Sequence, residues 1–193
     1  MKFIREIVTA VIIFVLLSIL TGLIYPLTIT GVVQTFIPGK ANGSLLTMDG
    51  KIVGSDLIGQ NFTRPGYFHG RPSAIDYRAN SSGASNLGPS SRRLIEKVQN
   101  EVERVKIENN LAADSLVPAD LVMASASGLD PHISVDSARL QANRIAESRG
   151  IEPIEVIKLI DQHIEPMELG IFGQPRINVI RLNIALDNLN KSR

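Results

Sequence analysis

The most strongly patterned part of the chain is its beginning, where polar positions almost vanish. Residues 7–39 contain no charged side chain, and residues 7–24 are nearly all Ile, Val, Leu, Phe and Ala, interrupted by Thr9, Ser18, Thr21 and Gly22. A hydrocarbon core about 30 Å thick is crossed by roughly 20 apolar residues at 1.5 Å each, so this run predicts a transmembrane helix over residues 7–29. A cleaved leader is the alternative. Against it, the run exceeds the roughly 7–15 apolar residues of a leader, and no small-x-small site follows, the next Ala after Ala10 being Ala41. The span is expected to end near Tyr25 and Pro26 or a turn later, with Tyr25 suited to the membrane interface. Ser18 and Gly22 stand four apart and would let a second helix approach closely, although chance composition also produces such pairs.

Beyond the run the periodicity changes. Residues 30–44 read as a linker, rich in Gly, Asn and Ser from residue 38 onward. Residues 45–48 and 51–53 flank Asp49-Gly50 and predict a short β-hairpin, since Asp-Gly accepts the positive φ of a tight turn. Residues 54–88 carry many Gly, Pro, Ser and Asn and predict irregular structure. Leu94, Val98, Val102 and Val105 then repeat at helical spacing, with Ser90 or Ser91 as cap and Arg92–Glu96, Lys97–Glu101 and Arg104–Glu108 as surface pairs. A second helix is predicted from Val135 to Arg149, between Ser134 as N-cap and Gly150 as terminator. A third begins at Pro153, turns Ile154, Ile157, Ile160 and Ile164 inward, and stops before Pro166. Residues 178–188 fit a helix through Val179, Leu182, Leu186 and Leu189, although Ile177-Asn178-Val179 starts like a strand. The expected fold class is α+β: one N-terminal transmembrane helix, then one mixed domain over residues 45–193 with a small sheet and several helices.

Charge sets an expected orientation. Lys2, Arg5 and Glu6 give residues 1–6 the chain's whole net charge of +1, which leaves the remainder neutral. A short basic tail stays in the cytoplasm and a long downstream domain is carried across, which predicts a single-pass protein of the inner membrane with an extracytoplasmic domain. A neutral domain has no field with which to hold nucleic acid. The chain of 193 residues has no cysteine, which excludes disulfides, iron–sulfur clusters, thiol catalysis and Cys-ligated zinc.

The catalytic motifs are missing too: no phosphate loop, no dinucleotide-binding glycine pattern, no nucleophile elbow, no H-E-x-x-H. His69, His132 and His163 are too far apart to suggest metal spacing. No catalytic and no metal-binding residue is expected. Two stretches nevertheless stand apart from ordinary surface. In residues 59–78, Phe62, Tyr67, Phe68 and Tyr77 are four of the six aromatics that follow residue 25, and Arg64, Arg71 and Arg78, with Arg92 and Arg93 shortly after, face a single acid, Asp76. Arginine mixed with aromatics is the composition of interface anchors, making Arg64, Tyr67, Phe68 and Arg71 candidate partner contacts. The alternative is that the aromatics are core and the arginines tie down a long loop, each in a salt bridge. The small-residue runs 81–91 and 124–134 each enter a helix and could hold an anion at its N-terminus, or simply form capping turns.

These stretches also carry a resemblance. Residues 54–60 (GSDLIGQ), 67–74 (YFHGRPSA), 82–89 (SGASNLGP), 121–134 (LVMASASGLDPHIS), 173–180 (GQPRINVI) and 182–187 (LNIALD) resemble, in order and spacing, the C subunit of the Kdp-type potassium-transporting ATPase, a bacterial P-type pump. Met123 stands where that pattern leads one to expect Thr. The resemblance implies a non-catalytic accessory subunit whose partners are a channel-like potassium-binding subunit, an ATP-hydrolysing subunit and a short membrane peptide. It also implies a chaperone-like effect on ATP use, with Gln141 as the nucleotide contact and ATP as a ligand of the complex, not a cofactor of this chain. The residues themselves point elsewhere: Gln141 lies on a helix beside Ala138, Ala142 and Ile145, where a surface or capping role is ordinary, and an external domain meets no ATP. A domain lying over the external mouth of the potassium subunit fits both lines. The rivals are a membrane-anchored periplasmic enzyme using loop serines and an anchored ligand-binding module.

Overall fold

The computed structural model describes residues 2–191. The chain divides into two compact units, Met1–Leu45 and Leu46–Arg193.

The first unit is a helical rod, α1 (Lys2–Phe36), long and apolar enough to cross a membrane, with none of its apolar stretch buried within the chain. Its hydroxyls are hidden by the helix itself. Thr9, Thr21, Thr28, Thr30 and Thr35 each donate to the carbonyl four residues back at 2.7–2.9 Å, so no side-chain donor among them is left bare in an apolar setting. One turn, Leu20–Ile24, is widened to π geometry, and the Tyr25 N–H reaches back to the Leu20 carbonyl. Pro26 explains the position, because its missing N–H breaks the ladder and the wider turn absorbs the mismatch. The stretch 30–44, expected as linker, is helical through Phe36 and again over Pro38–Ala41. A proline that opens a helix does not end one, and Val32, Val33 and Phe36 carry the pattern on. Gln34 donates to Asn42 across the break at 3.1 Å.

The second unit opens with the expected hairpin, β1 (Leu45–Met48) and β2 (Lys51–Ser55), turning on Asp49 (φ 51°) and Gly50 (φ 75°). A long irregular segment leads to α2 (Arg92–Glu108). Val98, Val102 and Val105 of α2 cover Val117, Leu121 and Val122, a small satellite cluster joined by Leu140. Ser91 is the N-cap of α2 but its side chain makes no cap bond. Of the anticipated surface pairs, Arg92–Glu96 and Arg104–Glu108 form at 2.8 Å, while Glu101 meets Arg104 at 2.7 Å in place of Lys97.

The main core lies between β3 (His132–Ser134), α3 (Val135–Arg149), α4 (Pro153–Gln162), β4 (Arg176–Asn178) and α5 (Val179–Lys191). β3 and β4 are antiparallel, with Ile133 opposite Ile177. Each strand runs directly into a helix through a residue that closes one and caps the other. Ser134 accepts the Ser137 N–H, and Asn178 accepts the N–H groups of Ile180 and Arg181 at 3.1 and 3.2 Å. That resolves the two-sided signal at residues 177–179: both readings hold, on either side of Asn178. Gly150 ends α3 in the left-handed conformation at φ 63°, as its position predicts. Phe68, Ile133, Ala138, Ala142, Ile145, Val156, Ile160, Ile177, Leu182 and Leu186 fill the interior.

The inward face of α4 is rotated from the expected one. Val156, Leu159 and Ile160 are buried, Ile157 and Ile164 only line the core, and Ile154 is 57% exposed. A run spaced i, i+3, i+6 drifts around a 3.6-residue helix, so its first member is carried out of the contact. Ile160→Ala is expected to cost about 2–5 kcal/mol and Ile154→Ala no more than about 0.5 kcal/mol, read by chemical denaturation of the full chain in detergent.

Candidate functional site

The segment from Gly59 to Arg78 has almost no regular structure, yet it carries Phe68 into the main core, where that ring is 0% exposed. A backbone entering a core outside any helix or sheet brings its N–H and C=O groups with it, and those must find partners. Here two buried side-chain amides supply them. Asn183 of α5 accepts the Phe68 N–H at 2.9 Å and donates to the Phe68 carbonyl at 3.0 Å. Gln141 of α3 does the same for the next residue, accepting the His69 N–H at 2.8 Å and donating to its carbonyl at 3.1 Å. Two amides thus stand in for a neighbouring strand on either side of one dipeptide.

Two arginines of α3 finish the clamp. Arg144 donates to the carbonyls of Pro65 and Tyr67, to Asn109 at 3.0 Å and to Gln141 Oε1 at 2.8 Å. It is buried, and among the described residues no carboxylate stands within ion-pair distance. Burial lowers its pKa, with Glu108 acting in the opposite sense, and the carbonyl dipoles take the place of a counter-ion. Arg149 donates to the Gly66 carbonyl at 2.6 Å and pairs with Asp187 at 2.8 Å. Its guanidinium lies 4.6 Å from the centroid of the Tyr67 ring, which itself stacks on Phe62.

The other end of the segment is tied to the small-residue run 124–134. Gly59 N–H meets the Leu129 carbonyl at 2.7 Å, Ser73 Oγ donates to Gly128 at 2.7 Å, and Arg71 pairs with Asp130 at 3.1 Å. Tyr77 donates its hydroxyl to the Arg71 carbonyl, and burial, helped by Asp130, pushes its pKa up to about 12. At Gly59 and Gly128 the two stretches approach too closely for a side chain. A Cβ on Gly59 would lie 2.6 Å from the Asp130 carbonyl, and one on Gly128 (φ 68°) 2.6 Å from Ile75. Within the run, Ser125, Ser127 and Asp130 accept the N–H groups of Gly128, Leu129 and His132, so it forms turns. At the N-terminus of α3 the anion is internal: Asp120 accepts from Ser134 N–H at 2.6 Å and from the Ser137 hydroxyl at 2.6 Å.

The candidate residues therefore separate. Phe68 is core and presents no contact surface, which corrects its reading as an anchor; a bulky ring beside small residues is legible as either. Tyr67 is half-buried between Phe62 and Arg149, Arg71 half-buried beside Asp130 with its buried Nε lacking a partner, and Arg64 exposed. Ser18 and Gly22 lie exposed on α1, and a Cβ on Gly22 would meet nothing. Gln141, expected at the surface or in a cap, is 1% exposed with every amide atom engaged. Of the five loop arginines only Arg71 and Arg92 meet carboxylates among the described residues; Arg78 donates to the Ile75 carbonyl. The residues that do hold the loop, Arg144, Arg149 and Asn183, escaped the sequence reading. The available signal was polar side chains recurring on the apolar faces of two amphipathic helices.

His69 closes one side of a cleft of about 460 Å³ shared with Arg71, Tyr77, Arg104 and Glu108. Its Nε2 donates to the Arg64 carbonyl at 3.2 Å and its Nδ1 lies 3.4 Å from Glu108. Burial and then the Arg144 charge lower its pKa, outweighing the upward pulls of the Arg64 carbonyl and Glu108. A histidine depressed by folding takes its proton more readily when unfolded, so the stability it contributes is present above the ordinary value of 6.5 and is lost as pH falls below it toward the folded value. Denaturation of the full chain is expected to show stability falling on acidification from about pH 7 to 5, with a shallower slope in His69→Gln.

Comparison with known proteins covers nearly the whole chain. Residues 7–188 match the family model described as "KdpC: K+-transporting ATPase, c chain". Proteins named potassium-transporting ATPase KdpC subunit are similar throughout. That of Nitratidesulfovibrio vulgaris is 51% identical over 172 residues, 88% of this chain and 87% of its own. That of Dechloromonas aromatica is 50% identical over 188 residues, covering 94% and 96%. That of Mycobacterium bovis is 46% identical over 187 residues, covering 96% and 99%. With the match running from the apolar helix through the clamp to α5, the chain belongs to the KdpC family, the c chain of the K+-transporting ATPase.

Proposed function

We propose that this chain is a membrane-anchored accessory subunit of an ATP-driven potassium pump, without an active site of its own, that stabilises the assembled pump. α1 crosses the inner membrane with the basic tail in the cytoplasm, and residues 45–193 lie outside on the potassium-binding subunit. The observation that carries the reading is the match over residues 7–188, which includes the apolar helix as well as the domain. The interior chemistry supports it. The buried polar groups Gln141, Asn183, Arg144 and Arg149 are spent on backbone carbonyls and amides, the use expected of a scaffold. The Ser18–Gly22 face of α1 is open and admits a helix of the ATP-hydrolysing subunit, the potassium-binding subunit or the short membrane peptide.

In this reading any effect on ATP use is indirect, transmitted through assembly, and Gln141 acts by bracing Phe68 and His69. Gln141→Leu would orphan the His69 N–H and carbonyl, at about 1–3 kcal/mol for each group. The expected result is a less stable domain and an unchanged KM for ATP in the assembled pump below the lowered midpoint. A KM for ATP raised about tenfold at unchanged stability, roughly 1.4 kcal/mol of lost binding, would instead make Gln141 a nucleotide contact.

Topology and deletion test the remainder. A reporter fused after residue 193 is expected to be active only when it needs the extracytoplasmic side. Removal of residues 45–193 is expected to reduce the yield of intact pump and its apparent potassium affinity. A cytoplasmic reporter, or intact assembly with unchanged potassium affinity, would overturn the proposal.

A further inference from the structure

Between Pro166 and Pro175 the chain leaves the core as a small arm. Glu165 and Arg176 exchange both backbone hydrogen bonds at 2.8 and 3.1 Å, and Glu168 and Phe172 do so at 2.9 Å each. Arg176 braces the base through Glu165 at 3.3 Å and Glu168 at 3.0 Å. The arm is thus preorganised, and its tip is apolar: Met167 is 39% exposed, Leu169 88%, Ile171 74% and Phe172 60%.

Leu169 is the informative residue. It sits at φ 53° beside Gly170 at φ 75°, a pair of left-handed residues at which Asn, Asp or Gly is the ordinary choice. A branched side chain there strains the backbone, and at its exposure it gains almost nothing from burial. Neither turn preference nor core packing of the free domain accounts for a leucine in this place.

We propose that the tip formed by Met167, Leu169, Ile171 and Phe172 is a docking element that inserts into an apolar cleft on another subunit of the same pump. Charge favours protein over lipid. The charged residues over 165–176 are Glu165, Glu168 and Arg176, a net charge of −1, with no Lys, Trp or Tyr. Anionic headgroups repel such a tip, whereas interfacial membrane anchors carry basic and amphipathic aromatic side chains. A rigid apolar projection loses little entropy on binding and suits a preformed pocket. The Glu168 side chain is paired with Arg176 yet 69% exposed, and a polar or basic rim on that pocket suits it. The inference rests on the reading of the chain as an assembled subunit and adds the surface by which it is held.

The test uses the intact pump, purified in detergent through a tag on this chain. The double variant Leu169→Asn/Phe172→Ser is expected to leave the pump about tenfold faster on dilution. The variant full chain by itself should unfold at the same or a higher temperature, because Asn suits the turn. Benzoylphenylalanine in place of Leu169 should, on irradiation, give an adduct with a different pump subunit. Unchanged dissociation, no adduct, or an adduct with lipid or with a second copy of this chain would overturn the proposal. Failure of the wild-type chain to co-purify with any other pump subunit would instead sink the subunit reading itself.

Discussion

A stretch of backbone without helix or sheet can enter a protein interior only if something else answers its hydrogen bonds. In this domain the answer comes from two amides and two guanidinium groups. Gln141 and Asn183 grip Phe68 and His69 from two helices, while Arg144 and Arg149 collect the carbonyls of Pro65, Gly66 and Tyr67. Each bond contributes on the order of 1 kcal/mol net, yet leaving one of these buried groups unpaired costs more than the bond supplies. The core of α3, α4 and α5 is therefore completed by a loop residue, and the loop keeps its shape because the helices are there. Loop and helices specify each other.

The same economy runs through the rest of the domain. Asp120 supplies the negative charge that the start of α3 attracts, and Ser134 and Asn178 each end a strand and begin a helix. Polar groups here act on the chain's own backbone, and they fix the positions of the loop and of the helix starts.

Most of the elements were legible in the residues because they rest on local rules. The apolar run, the Asp49-Gly50 turn, and the Ser134 and Gly150 limits of α3 need only near neighbours. The clamp was not legible, and the reason is physical. Gln141, Arg144, Arg149 and Asn183 look like solvent-facing positions until the loop that lies on them is known, and that loop has no periodicity to announce where it goes. The arginines that drew attention, Arg64, Arg78 and Arg93, lie outward. The face of α4 differs for a simpler reason: Ile154, Ile157 and Ile160 step by three while the helix turns every 3.6 residues, so Ile160 is buried and Ile154 is carried outward. The helical stretch after Pro26 shows the same limit, since proline reads as punctuation while a single π turn accommodates it.

The contact between Phe68 and Asn183 joins positions 115 residues apart. Contacts of such long range are the kind that slow folding, because the intervening chain must be closed before they form. Without α5 the bonds from α3 to Pro65, Gly66, Tyr67 and His69 remain available, but the Phe68 N–H and carbonyl have no partner. The grip on Phe68 and His69 is thus complete only when residues far apart in the sequence have met.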